Sequence, residues 1–120
     1  MATIMVIDDS SSMRGRIKQT LVAAGHVVIE AADGLEALDR LGAGRIELFL
    51  CDINMPRLDG LGLVKRLRAM TVAKFTPILM LTTEVDPEKK RIAKEAGATG
   101  WLVKPFQPDQ LLATIQKVLS

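Results

Sequence analysis

Apolar residues in this chain keep two rhythms. Five short runs, Thr3–Ile7, Val27–Ala31, Leu48–Cys51, Pro77–Leu81 and Gly100–Val103, are largely apolar throughout, the pattern of strands buried on both faces of a sheet. Between them apolar positions recur every three or four residues, which predicts helices. These are Met13, Ile17 and Leu21; Ala37, Leu38 and Leu41; Leu63, Val64, Leu67 and Met70; and Leu111, Leu112, Ile115 and Val118. A further helix, Pro87 to about Ala96, is marked by a proline suited to a first turn and by Gly97 just past its end. Punctuation fits the same division. Ser10 or Ser11 caps the first helix and Gly25 ends it; Asp33-Gly34 opens the second and Gly42 and Gly44 close it. The loop Asn54–Gly60 ends in an N-cap, and Pro108 starts the last helix.

Strand and helix therefore alternate five times. The expected fold class is α/β: an open five-stranded parallel sheet with helices on both faces, as a single domain over residues 1–120. Right-handed crossovers put the C-terminal ends of all strands on one edge, where such sheets bind ligands. The pattern leaves the strand order open.

Composition narrows the class further. With 120 residues, 48% hydrophobic and 25% charged, the chain suits one globular domain with its own core. The single cysteine, Cys51, lies inside an apolar run, which fits a reduced, cytoplasmic protein with a buried thiol. No segment approaches the ~20 apolar residues of a membrane span, so no membrane insertion is expected. Residues 1–60 carry six basic and nine acidic side chains, residues 61–120 ten and five. The basic residues scatter over several elements and aromatics make up only 3%, leaving few stacking platforms, so direct nucleic-acid binding is not expected.

Three of the apolar runs stop on charged residues: the first on Asp8-Asp9, the third on Asp52, the fifth on Lys104-Pro105. In a parallel sheet these meet at one edge. Three clustered carboxylates repel one another at neutral pH unless a cation offsets them. Mg²⁺ suits the place, because it takes hard oxygen ligands, keeps several waters and usually binds through one or two carboxylates together with a phosphate. Lys104 adds positive charge and Thr82, ending the fourth run, a hydroxyl donor. A cation, a lysine, a hydroxyl and an ionised carboxylate are what phosphoryl transfer needs. A carboxylate nucleophile requires no base, so no catalytic histidine is called for, and His26 reads as a surface residue in a turn. Asp33, Asp59 and Asp109 read as helix caps.

Asp8-Asp9, the Asp52-Ile53-Asn54-Met55-Pro56 segment followed by Asp59-Gly60, Thr82, and Lys104-Pro105-Phe106 resemble the receiver domain of two-component response regulators. The likeness spans essentially the whole chain and is greatest to the stand-alone chemotaxis regulators of the CheY type. It implies a flavodoxin-like strand order 2-1-3-4-5 and a phosphoryl group passed to Asp52 from a phosphohistidine on a sensor histidine kinase of the CheA kind. It further implies Mg²⁺ ligated by Asp8, Asp9, Asp52 and the Asn54 backbone carbonyl, Lys104 paired with the phosphoryl group, and a cis peptide bond before Pro105. In the implied switch, Thr82 moves toward the phosphoryl group and Trp101, where the family usually has Tyr or Phe, enters the space it leaves. Output would pass through the face of the fourth helix, fifth strand and fifth helix, with Lys90, Lys94 and Trp101 receiving an acidic amphipathic peptide or a kinase docking domain. Asn54 and Glu84 would tune hydrolysis, and their polarity predicts a short-lived phosphorylated state. The resemblance implies a monomer that catalyses only its own phosphorylation and dephosphorylation, serving a flagellar-motor peptide or an adaptor.

Within that reading, a phosphate sink that drains a kinase is the alternative to a messenger. A magnesium-dependent phosphatase of the haloacid-dehalogenase type also uses an aspartyl nucleophile, but it expects a second Asp two residues after a nucleophile on the first strand. Here Asp8 is followed by Asp9 and Ser10. A flavin-mononucleotide binder shares the layout, yet Asp8-Asp9 would repel its phosphate.

Overall fold

The computed structural model describes residues 1–83 and 86–120. In chain order it contains β1 (Thr3–Ile7), α1 (Ser11–Ala23), β2 (Val27–Ala31), α2 (Gly34–Asp39), β3 (Leu48–Asp52), α3 (Gly60–Arg68), β4 (Ile78–Thr82), α4 (Pro87–Ala96), β5 (Gly100–Val103) and α5 (Pro108–Leu119). Single turns of tighter helix follow α2 at Leu41–Ala43 and α3 at Thr71–Ala73. All pairings are parallel and the order is β2-β1-β3-β4-β5, as the family likeness implied. From β1 the chain steps first to β2 on one side and then to β3 on the other. That reversal opens a crevice beyond the C-terminal ends of β1 and β3.

Strand periodicity divides the core in two. Ile4, Val6, Leu48, Leu50, Leu79, Leu81 and Leu102 point to one side, where Ile17 and Leu21 of α1 and Leu111 and Ile115 of α5 cover them. Met5, Ile7, Phe49, Cys51, Ile78 and Met80 point to the other, beneath Ala37 of α2, Leu63, Val64 and Leu67 of α3 and Ala93 of α4. Every residue of β3 and β4 is buried, which is why those runs carry no polar alternation. Each fully buried aliphatic side chain contributes about 1.5–3 kcal/mol, so these two layers hold the sheet rigid beneath its charged edge.

The starts of α1, α2 and α3 follow the predicted caps, whereas Asp109, read as a cap, lies inside the first turn of α5, whose N-cap is Gln107 with no side-chain capping bond. Ser10, Asp33 and Asp59 accept the main-chain N–H of Met13, Glu36 and Gly62, and Asp86 accepts that of Glu88. Gly97 ends α4 at φ +116°, a left-handed conformation that costs glycine little.

The structure corrects several details. Helix α3 stops at Arg68, short of Met70, which is 37% exposed. The Ala69 and Met70 amides bond three residues back, to Arg66 and Leu67, tightening and ending the helix. Leu41 lies in the turn after α2 and still packs on the core. β3 and β4 each run one residue further than their apolar runs, taking in Asp52 and Thr82. Pro77 lies just outside β4; it has no N–H for the ladder, though its carbonyl accepts from Phe49. His26 is half-buried, and its Nδ1 accepts the Ala2 N–H at 3.1 Å, so it ties down the first strand. Among the described residues no helix is long and apolar enough to cross a membrane.

Candidate functional site

The charged strand ends do converge in the crevice. One carboxylate oxygen from each of Asp8, Asp9 and Asp52 lies within 4.8 Å of the others. Asp8 is fully buried and Asp52 nearly so, while Asp9 faces solvent. Lys104 Nζ donates to Asp8 Oδ2 at 3.1 Å and lies 3.5 Å from Asp52 Oδ1, so one ammonium bridges the ends of β1 and β3. The Lys104–Pro105 peptide bond is cis, and the Lys104 N–H donates to the Thr82 carbonyl at 2.8 Å. Thr82 itself is buried.

Local structure fixes each of these groups. The Ser10 N–H donates to Asp8 Oδ1 at 2.9 Å, and an Arg14 guanidinium N–H to the Asp8 carbonyl at 2.6 Å. Beyond Asp52, α3 begins flush against the chain. The Gly60 N–H donates to the Ile53 carbonyl at 2.9 Å, and a Cβ on Gly60 would collide with the Asp52 carbonyl oxygen and sit 2.8 Å from Ile53 Cα. Only glycine fits there.

Burial raises the pKa of Asp52, with Asp8 and Asp9 pushing the same way, against Lys104 and the Asn54 main-chain N–H, which favour the ionised form. Among the described residues Lys104 pairs with two of the three carboxylates, Asp8 and Asp52, and negative charge at the edge is undercompensated. Hard, partly buried oxygen donors short of positive charge match the chemistry of Mg²⁺. Beside them, burial pushes the Cys51 thiol far up, with Asp52 adding to the effect. It stays protonated and serves as core.

On the flank, Lys90 Nζ lies 4.8 Å from the Trp101 ring centroid, a cation–π contact. Trp101 is half-buried and packs against the core, leaving a void of only about 10 Å³ bounded by Thr82, Trp101, Ile53, Met80, Lys89, Lys90 and Ala93. Lys94 is exposed a turn further along α4. The exposed side of this helix is less purely cationic than its lysines suggest, because Arg91 pairs with both Glu88 and Glu95. Glu84 lies outside the described residues; Asn54 is exposed next to the cluster.

One feature escaped the sequence. Asp33 does cap α2, but it also receives a two-pronged ion pair from Arg57, Nε to Oδ2 at 2.7 Å and Nη2 to Oδ1 at 2.9 Å. Its only sequence signal was an acid and a base in two loops that both open toward the same sheet edge.

A five-stranded parallel sheet with this acidic crevice and bridging lysine defines a class, and the family model of the response regulator receiver domain matches residues 4–116; the chain belongs to that family. It is CheY-like within it. The chemotaxis protein CheY homolog of Campylobacter jejuni is 42% identical over 119 residues, covering 98% of this chain and 92% of the relative. A solved structure of the Vibrio cholerae chemotaxis protein CheY4 is 51% identical with a TM-score of 0.95, covering 99% of both chains. A more distant structure, the receiver domain of a Pseudomonas aeruginosa sensor histidine kinase with a magnesium ion coordinated in its active-site cleft, is 26% identical with a TM-score of 0.90, covering 98% of this chain and 97% of that one.

Proposed function

We propose that this chain is a phosphorylatable chemotaxis response regulator that takes a phosphoryl group on Asp52 from the phosphohistidine of a CheA-like sensor kinase. The observation that carries the reading is the Lys104 ammonium set between Asp8 and Asp52 at the β1/β3 crevice, where Asp9 completes a cluster of three carboxylates. A carboxylate oxygen of Asp52 attacks phosphorus in line. The P–O bond forms as the P–N bond breaks, and its electron pair leaves with the imidazole. Asp8, Asp9, Asp52 and the Asn54 backbone carbonyl would hold Mg²⁺, which when bound supplies positive charge to the carboxylates and the phosphoryl oxygens.

The protein's own groups do the rest. Lys104 pairs with a phosphoryl oxygen, exchanging its carboxylate partners for the more highly charged group. The Thr82 hydroxyl donates to another, and Trp101 follows it inward, altering the face of α4, β5 and α5. That face, with Lys90 and Trp101 as anchor, then takes an acidic amphipathic segment such as a flagellar motor peptide or an adaptor. Water attacking phosphorus returns Asp52 and phosphate, so the only chemistry is the protein's own phosphorylation and dephosphorylation, in the cytoplasm and as a monomer. The exposed Asn54 leaves room for that water, which gives a short-lived signal.

Incubation with Mg²⁺ and acetyl phosphate, followed by peptide mass mapping, tests the reading. Added phosphate on Asp52, lost in Asp52→Ala, is expected. Label elsewhere, or label that survives the substitution, would overturn it, and label stable for hours with Mg²⁺ would remove the short lifetime.

A further inference from the structure

The β2–α2 turn adds no carboxylate to the acidic cluster, yet it grips the β1–α1 loop, which does, and the β3–α3 loop that follows Asp52. At its start the Ala31 carbonyl accepts the Asp8 N–H at 3.1 Å. Two residues on, Asp33 receives the Arg57 fork from the β3–α3 loop. Next, the Gly34 N–H donates to the Leu58 carbonyl at 3.3 Å. A Cβ on Gly34 would lie 2.7 Å from that oxygen and 2.8 Å from Leu58 Cγ, so turn and loop are in direct backbone contact.

Arg57 stands at φ +64°, the only non-glycine residue with positive φ among those described. An arginine has no short side-chain acceptor with which to hold the left-handed region by itself, as Asn and Asp do. Its conformation is held from across the gap, by a carboxylate that is 6% exposed and already fixed as the cap of α2. Three residues before Arg57 the same loop carries Asn54, two residues after Asp52, and the loop closes on itself where the Gly60 N–H donates to the Ile53 carbonyl at 2.9 Å.

We propose that the Asp33–Arg57 pair is a positioning clamp for the acidic site, holding the β3–α3 loop so that the Asn54 backbone stays in place beside Asp52. The inference rests on the function proposed above. Neither residue touches a reacting atom; both act through Asn54. The clamp ties the loop that follows Asp52 to the same turn whose Ala31 carbonyl takes the Asp8 N–H, so two segments of the site are held by an element outside it.

The sign of one effect separates positioning from simple charge. Removing the Arg57 cation near a cation site would, by Coulomb attraction alone, tighten Mg²⁺ binding; loss of the clamp weakens it. Two variants isolate the pair. Arg57→Asn tolerates the left-handed φ and lacks the fork, and Asp33→Asn keeps a good cap while losing the charge. Titration calorimetry of Mg²⁺ into the unphosphorylated full chain is expected to show about tenfold weaker binding in each, as for other groups that support metal ligands. The double variant should be no worse than either single one. In ¹H–¹⁵N spectra the Asn54 amide should shift and exchange faster, a local change that a uniform loss of stability would not produce. Unchanged or tighter Mg²⁺ binding in Arg57→Asn, additive losses in the double variant, or an unmoved Asn54 amide would each overturn the clamp. Should Arg57→Asn not fold, the Asn54 amide of Asp33→Asn decides alone. Wild-type protein that neither binds Mg²⁺ nor labels at Asp52 would instead sink the reading of the site itself.

Discussion

Asp52 holds its charge in a place that disfavours it, since burial and two neighbouring carboxylates outweigh the help of Lys104 and one amide. Replacing it with neutral Asn should therefore stabilise the metal-free fold. Urea denaturation with a chelator present would measure this, and a loss of stability would contradict it. Asp33 is the opposite case. The Glu36 N–H and the Arg57 guanidinium hold its carboxyl below the usual range. Its folded pKa is depressed, so its stabilisation is complete above the unfolded value of about 3.9 and is lost as pH falls through the folded one. Asp33→Asn should flatten the acid limb of a stability–pH curve below about pH 4; an unchanged limb would deny the pair its role. These two aspartates also mark how far the residue scale was legible. Asp8, Asp9, Asp52 and Lys104 stood out because each ends an apolar run, and parallel topology brings such ends together. Only half of what Asp33 does could be read, because capping is local whereas its ion partner is 24 residues away and reaches it through a left-handed backbone.

Elements were legible where burial alone determines them, as in β3 and β4, and less so where a side chain reaches out to end a helix. Arg68 terminates α3 and donates to the main-chain oxygens of Ala73, Thr76 and Lys74 in the next turn and of Gly97 beyond α4. Burial lowers its pKa, yet the four acceptors keep it in place. Sequence periodicity counted Met70 as a further apolar step and had no means of seeing this anchor. Arg68→Lys should cost about 1.5–3 kcal/mol, the worth of a charge-assisted hydrogen bond, because a compact ammonium cannot span the same acceptors. Thermal or urea unfolding would show it, and wild-type stability would refute it. Gly60→Ala is a sharper test at the other end of α3. The added methyl meets the Asp52 carbonyl and Ile53 Cα, both backbone, so the helix must move. An overpacking cost of about 1–3 kcal/mol and a slower labelling of Asp52 by acetyl phosphate are expected together.

At the scale of the whole molecule, the acidic crevice and the most exposed aromatic side chain lie at opposite ends of the strands. The acidic crevice lies beyond the C-terminal ends of the strands, whereas Phe75, 88% exposed, and Val72, 64% exposed, lie on the α3–β4 connection that leads into the start of β4. Neither side chain supports the core, so Phe75→Ser should leave unfolding unchanged within about 0.5 kcal/mol. A larger loss would mean that this connection is a structural part of the sheet. The flank beside the crevice behaves differently. The space between Thr82 and Trp101 amounts to roughly one water molecule. In the proposed switch an indole cannot drift part-way into so little free volume while the threonine stays where it is. The two must trade places as a latch does, and a graded stimulus would then be encoded in the proportion of molecules thrown over, each fully one way or the other.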